Sequence, residues 1–253
     1  MFVITGGGSG IGQALAIALA KRGQFVIITG RRIEALQQTA SENDRISYIQ
    51  ADISHEEGRA VLVDYLSRFK QLTGFIHNAG IIDPIAPIKD LALDSFRQNM
   101  ATNVEAPLCL NQSLLAQLKG GRVLHIGSGA AYFPVKGWAA YCTSKAALSM
   151  ITKCWQLECD DPSFASVMPG IIDTPMQAEI RHSDCMDSEK LHFFQKLKRN
   201  NQLITCDTVA LFLSWLLLDV DKHTFCSQEW DIYDTSHHRQ WLQPPHHVPT
   251  FEE

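Results

Sequence analysis

The sequence predicts one α/β domain, a doubly wound parallel sheet of about seven strands with helices on both faces. Three observations carry this. Short apolar runs alternate with longer amphipathic segments from residue 2 to about residue 235, strand then helix. A glycine-rich turn follows the first apolar run and opens the first helical segment. The 253 residues are 45% hydrophobic and 19% charged, enough for one large core and unlike a disordered chain.

The same composition excludes several function classes. A net charge of −5 and a pI near 6.0 leave no basic footprint for nucleic acid or an anionic membrane. No apolar run approaches the ~18 to 20 residues of a spanning helix; the longest, residues 209–218, is interrupted by Ser214. The first strand begins at Phe2, which leaves no room for a targeting peptide. Seven cysteines without a C-x-x-C pair point to free thiols in a reducing cytosol, not to disulfides or zinc. A cytoplasmic protein is expected.

The first strand, Phe2-Val3-Ile4, leads into Thr5-Gly6-Gly7-Gly8-Ser9-Gly10-Ile11-Gly12 and then a helix through Ala14 and Leu19. Glycines allow positive φ and let a ligand approach without meeting a Cβ. The helix start beyond them offers free N–H groups and a positive dipole end, which suit a pyrophosphate. The alternative is a flexible loop with no ligand. The spacing T-G-x-x-x-G-x-G is not G-x-G-x-x-G; it resembles the cofactor turn of the short-chain dehydrogenase/reductase family. That resemblance implies a Rossmann fold with Gly6, Gly8, Ser9, Gly10, Ile11 and Gly12 at the cofactor.

The second strand, residues 24–29, ends at Gly30-Arg31-Arg32. An acid at this distance from the glycine turn would hold the ribose 2′-hydroxyl of NAD. Two arginines stand there instead, and a guanidinium fork accepts a 2′-phosphate. The sequence therefore leans to NADP(H), with Arg31 nearer the strand end; solvated helix-start arginines are the alternative. A helix over 33–40 and a third strand over 46–50 lead to Ala51-Asp52-Ile53-Ser54. The resemblance gives Asp52 the adenine amino group, with Ile53 beside it; a helix cap by Asp52 or Ser54 is the structural competitor. Residues 56–69 form an amphipathic helix.

The fourth strand, residues 72–76, precedes His77-Asn78-Ala79-Gly80. The family pattern is Asn-Asn-Ala-Gly, so Asn78, Ala79 and Gly80 match at the cofactor ribose and His77 departs. A loop with two prolines follows, then residues 93–118 read as one long helix kinked near Pro107. Asn103 lies four residues before that proline, where a carbonyl loses its helical partner, and the resemblance maps the active-site asparagine onto it.

The fifth strand, residues 121–127, delivers Ser128 at its carboxyl end, where ligands bind in open α/β sheets. Thirteen residues later stand Tyr141 and Lys145, four apart and on one helical face. A nearby ammonium favours the phenolate and should bring the tyrosine pKa down from about 10. The resemblance implies a tetrad: Tyr141 as general acid, Ser128 polarising the carbonyl, Lys145 on the nicotinamide ribose and tuning Tyr141, Asn103 holding a relay water. The same helix, 138–158, and the long one before it often pair in relatives, which implies a homodimer or homotetramer.

The sixth strand, residues 163–168, ends at Pro169-Gly170-Ile171-Ile172-Asp173-Thr174. In the family's P-G-x-x-x-T, Pro169, Gly170, Ile172 and Thr174 meet the nicotinamide amide or phosphate. Residues 175–200 lack a strong core pattern and are expected to form a substrate lid that excludes water. Asp207 is expected to cap a helix over 209–218, and 229–234 to be the last strand. The single domain would then end at 236, with 237–253 a tail outside it whose paired histidines bind no metal.

The segment Pro169 to Gln177 and the ending Trp230-Asp231-Ile232-Tyr233-Asp234 resemble the sepiapterin reductase and benzil reductase-like branch. That implies a substrate contact at Asp231, and Phe133, Trp138 and Phe193 suit an aromatic or hydrophobic carbonyl. The expected function is NADPH-dependent reduction of a ketone or diketone, pterin-like or aromatic, to an alcohol. The rival is a non-catalytic dinucleotide-binding redox sensor or scaffold, against which the Ser-Tyr-Lys set argues.

Overall fold

The computed structural model describes residues 1–250; Phe251 and the two glutamates after it, the end of the expected tail, lie outside the described residues. Strand β1 (Phe2–Thr5) runs through the glycine turn into α1 (Gly10–Lys21). Then come β2 (Val26–Gly30), α2 (Ile33–Ser41), β3 (Ile46–Gln50), α3 (Glu56–Leu66) and β4 (Gly74–His77). Helices α4 (Leu93–Met100) and α5 (Ala106–Leu114) precede β5 (Arg122–Ile126), α6 (Ala139–Glu158) and β6 (Ser163–Met168). The chain continues with α7 (Pro175–Arg181), α8 (Ser188–Arg199), α9 (Cys206–Leu218), α10 (Lys222–Cys226), β7 (Trp230–Asp231) and α11 (His238–Trp241). No helix of the described residues is long and apolar enough to cross a membrane.

The sheet order is β3-β2-β1-β4-β5-β6-β7, every pair parallel. Winding goes outward from β1 in one direction and then, from β4, in the other. The carboxyl ends of β1 and β4 therefore flank the crevice where open sheets bind ligands. Period-two alternation splits the core into two layers. Phe2 and Ile4 of β1 face a cluster with Leu15, Leu19, Phe212 and Leu216 from α1 and α9. Val3 points the other way, into Leu62, Leu66, Leu110 and Leu114 from α3 and α5. Both faces of the central strands are covered, so those strands are mostly apolar rather than alternating with polar residues, whereas the edge strand β3 leaves Ser47, Tyr48 and Gln50 exposed.

Three expectations and one alternative are corrected. The long helix over 93–118 is interrupted by a π-helical segment, Ala101–Glu105, and α5 begins at Ala106 with Pro107 in its first turn, where a missing N–H costs least. The cap of α9 is Thr205, whose hydroxyl accepts from the Thr208 N–H, while Asp207 lies inside the first turn. Neither Asp52 nor Ser54 caps α3, whose N-cap position is His55 with no side-chain bond.

The fourth concerns the tail. His237 and Trp241 are both only 3% exposed, and Leu242 and Val248 pack on the α9 layer. His237 Nε2 lies 3.0 Å from the Asp231 carbonyl, and the Trp241 indole donates to His237 Nδ1 at 2.8 Å. Nδ1 must then be the bare acceptor, so His237 is neutral with its proton on Nε2. His238 Nε2 reaches the Ile232 carbonyl at 2.7 Å and His246 Nδ1 the Thr208 hydroxyl at 3.1 Å. Aromatic stacking explains what apolar periodicity hid: the His237 ring lies on Phe212 at 5.1 Å and 8° and beside Trp215 and Trp230.

Candidate active site

All but two of the expected site residues line a single cavity of about 730 Å³ at the carboxyl ends of the strands. Its wall runs from Arg31 and Arg32 past the glycine turn to Ser128, Tyr141 and the α7–α8 segment. The exceptions are Gly12 and Asn103, which stand behind the wall.

The turn is held by backbone shape. Gly6 and Gly10 have φ of +69° and +57°, a region costly for residues with a Cβ. A Cβ on Gly12 would lie 2.4 Å from the Gly6 carbonyl oxygen, so this glycine closes the turn rather than meeting a ligand. Thr5, the motif's first residue, stitches the turn to β4: its hydroxyl accepts from the Asn78 and Ala79 N–H groups at 3.1 and 3.0 Å. The Asn78 amide is likewise spent on the turn, donating to the Thr5 and Gly6 carbonyls. Ser9 at the N-cap of α1 makes no capping bond, and the first turn of α1 holds no acid. The dipole end is left for an anion.

At the β2–β3 end of the cavity, Arg32 Nη2 donates to Ser9 Oγ at 3.2 Å. The Arg31 carbonyl is held by the Gln50 amide at 2.7 Å. Asp52 Oδ1 accepts from the Ser54 N–H and hydroxyl at 3.0 and 2.7 Å. Partial burial alone would raise its pKa, but those two bonds and the charge of Arg31 outweigh it and the carboxyl is lowered. Asp52 stays an acceptor, with one oxygen uncommitted by these bonds.

At the chemical end, Ser128 caps a short 3₁₀ turn, Gly129–Ala131, by accepting from the Ala130 N–H at 3.1 Å. Tyr141 and Lys145 are buried on α6, with the ammonium 5.6 Å from the phenol ring centre. The ammonium donates to the Ile126 carbonyl at 2.8 Å, not to the phenol. The expected lowering of Tyr141 is therefore reversed. Burial pushes its pKa up to about 12, although the Ser128 hydroxyl pulls the other way. Burial also brings Lys145 down to about 8. The pair is a neutral phenol beside an ammonium whose proton burial has made more weakly held.

Asn103 sits in the π-helical segment and ties three elements together. Its Oδ1 accepts from the Ile81 N–H at 2.9 Å, and Nδ2 lies within 3.0 Å of Ile81 O, Asn99 Oδ1 and Ser144 Oγ. The amide protons are committed, so the side chain is not the group that would hold a water. Pro107 has no N–H, which leaves the Asn103 backbone carbonyl without its α-helical partner. Gly80 separates this residue from Lys145: a Cβ there would lie 3.3 Å from Asn103 Oδ1 and 3.6 Å from Lys145 Nζ.

His77 proves to be one end of a buried polar chain under the site. Its Nε2 meets Asn111 Oδ1 at 2.7 Å, Asn111 Nδ2 meets His125 Nε2 at 3.1 Å, and His125 Nδ1 meets Thr152 Oγ1 at 2.8 Å. Burial holds His77 at about 4 and His125 well below its ordinary value, so neither adds a charge.

The segment expected as a lid forms α7 and α8 and has its own apolar seam. Ile180, Met186, Phe194 and Leu197 pack with Ile82, Trp138 and Tyr141. Phe194 stacks on Trp138 at 5.9 Å and 7°, and Trp138 meets Tyr141 edge-on at 5.8 Å. Thr174 caps α7 through the Gln177 N–H, and Lys198 pairs with Asp173 at 2.6 Å. Asp231 lines the cavity with Oδ1 accepting from the Tyr233 N–H. Phe133 and Trp138 line the cavity as expected and Phe193 does not; Phe194 and Gln177 were missed as site residues in the sequence, because their place depends on how α7 and α8 fold back.

The model of the short chain dehydrogenase family matches residues 1–184. The chain is 33% identical over 241 residues to benzil reductase ((S)-benzoin forming) of Bacillus subtilis, covering 92% of this chain and 98% of that one. It is 31% identical over 258 residues to sepiapterin reductase of Meriones unguiculatus, covering 92% and 95%. A short-chain dehydrogenase/reductase of Saccharomyces cerevisiae superposes with a TM-score of 0.86 at 26% identity, covering 92% and 96%.

Proposed function

The chain belongs to the short-chain dehydrogenase family, and from that premise we propose that it reduces a carbonyl with NADPH, Tyr141 giving the proton. The observation that carries the reading is the meeting of Ser128, Tyr141 and Lys145 with the glycine turn in one cavity. The cradle fits a dinucleotide: two glycines at positive φ and an uncapped helix start face it, and a volume of about 730 Å³ is ample. Gly6, Gly8, Ser9, Gly10 and Ile11 would hold the diphosphate, Asp52 and Ile53 the adenine, and Ala79, Gly80, Pro169, Gly170, Ile172 and Thr174 the nicotinamide half. Arg31 and Arg32 line the same cavity where an NAD-binding acid would stand, which supports NADPH.

The bound nicotinamide supplies a hydride, and the chain supplies orientation and the proton. Ser128 donates a hydrogen bond to the substrate oxygen. The Tyr141 phenol, protonated because burial holds it near 12, is the acid for the oxygen as its negative charge grows. Lys145, cationic below about pH 8, stabilises the phenolate that remains. The Asn103 carbonyl, not its amide, is the group that would hold a relay water. Trp138, Phe194 and Ile180 give the substrate end an apolar wall, which with the benzil and sepiapterin reductase relatives supports an aromatic ketone or diketone. Asp231 supplies a carboxylate to that wall. Exposed Met150 and Leu157 on α6 support self-association as a dimer or tetramer.

The deciding experiment is NADPH oxidation with a panel of aromatic ketones, quinones and 1,2-diketones. Turnover by the wild type and its loss in Tyr141→Phe are expected. NADPH binding without turnover of any panel member would turn the reading to a sensor or scaffold.

A further inference from the structure

One buried amide in the cavity has half of its hydrogen-bonding capacity unspent. Gln177, on α7, is 4% exposed and lines the cavity. Its Oε1 accepts from Arg181 Nη1 at 2.6 Å. A guanidinium can only donate, so the atom facing Arg181 must be the carbonyl oxygen, and the NH₂ is turned to the other side. Among the described residues that NH₂ donates to no group. Nor is it among the sealed, unpartnered polar atoms, which are Thr29 Oγ1, His77 Nδ1, Trp138 Nε1 and Trp155 Nε1. Gln177 lines the cavity, and on its unsealed side the NH₂ has that space to face. Its helix neighbours Met176 and Ile180 pack in the cluster that contains Tyr141 and Trp138, which puts Gln177 at the substrate end.

An amide donor held in a largely dry wall is costly until an acceptor reaches it. Ser128 and Tyr141 already serve the oxygen being reduced. We infer that Gln177 determines specificity by donating to a second oxygen of the substrate, so that the site is built for a 1,2-diketone over a simple ketone. This rests on the carbonyl reductase reading above.

The test compares two substrates with the same two rings: 1,2-diphenylethane-1,2-dione and 1,2-diphenylethanone, which lacks the second oxygen. In Gln177→Met, kcat/KM for the diketone should fall about five- to tenfold, the worth of one neutral hydrogen bond. The monoketone should change less than twofold, and the NADPH Kd should hold. Taking the ratio of the two substrates cancels their difference in reactivity. If Gln177→Met loses cooperative melting, Gln177→Glu makes the same comparison, since its carboxylate keeps the Arg181 partner and offers no proton. Equal loss on both substrates, or weakened NADPH, would overturn the inference while leaving the reductase reading intact. Failure of the wild type to turn over either substrate or any other carbonyl of the panel would overturn both.

Discussion

The two ends of the cavity are built by different means. The end proposed for the cofactor is shaped by backbone: Gly6 and Gly10 at positive φ, an uncapped helix start, and Thr5 and Asn78 binding the turn to β4. The end proposed for the substrate is made of side chains from distant parts of the sequence. Phe194 of α8 stacks on Trp138, and Trp138 meets Tyr141. Behind this end, His237 and His238 grip the carbonyls of Asp231 and Ile232. Tyr233, just beyond, accepts from the Ile171 N–H at 3.0 Å and so holds the Pro169–Thr174 turn. A backbone cradle fixes one kind of ligand, whereas a side-chain wall can be rebuilt for many. The comparison predicts that variants of the two ends fail differently, in binding or rate at the first and in stability at the second.

The largest effect belongs where the two ends meet. Tyr141→Phe removes the hydroxyl proposed as the proton donor and almost no packing volume. Turnover should fall by about 10² to 10⁴, while NADPH Kd and Tm hold. Activity within about tenfold of the wild type would remove Tyr141 from the chemistry.

Next is the C-terminal anchor. Trp241→Ala should cost about 3 to 5 kcal/mol, the usual range for a buried tryptophan, and lower Tm by about 6 to 20 °C. Truncation before His237 should do at least as much. A Tm unchanged by either would show that the segment merely rests on α9.

A smaller and more selective effect is expected at Arg31. Its guanidinium makes no hydrogen bond among the described residues, whereas Arg32 is already engaged with Ser9. Arg31→Ala should weaken NADPH ten- to a hundredfold, the worth of a charge-assisted contact, and leave NADH unchanged. Equal wild-type affinity for the two cofactors, measured by titration, would make Arg31 a surface charge.

The same division explains what could be read from the sequence. Winding, sheet size and the glycine turn were legible because each is written in adjacent residues: an apolar run, then T-G-x-x-x-G-x-G, then an amphipathic helix. Ser128 and the Tyr141–Lys145 pair were legible for the same reason, one at a strand end and two at helical spacing. What they do electrically was not. Burial decides the direction for Tyr141, and burial is a property of the whole fold. The C-terminal anchor was invisible because the histidines and the single tryptophan in residues 237–246 show no periodicity; His237 and Trp241 dock by stacking on Phe212 and Trp215, some 25 residues earlier. Gln177 is visible in the sequence only as the end of a resemblance, since Arg181 sets the direction of its amide.

The smallest effect concerns pH, and it tests whether the two ends are coupled through Lys145. Burial brings this ammonium down to about 8 and holds the Tyr141 phenol up near 12. Between those values the lysine is losing its proton while the tyrosine keeps its own. The charge that would stabilise the forming phenolate is therefore present below pH 8 and lost as pH rises through it. Because kcat/KM reports ionisations of the free enzyme, kcat/KM for NADPH in the reductive direction should fall about tenfold between pH 7 and pH 9. That slope corresponds to one proton with a pKa of about 8. Lys145→Arg keeps a cation at every accessible pH, since guanidinium does not titrate below about 12, and its lower rate should be flat over the same range. A wild-type profile that stays level to pH 9 would mean that the lysine charge takes no part in the proton transfer. Lys145 would then be left with the Ile126 carbonyl and the cofactor ribose as its partners.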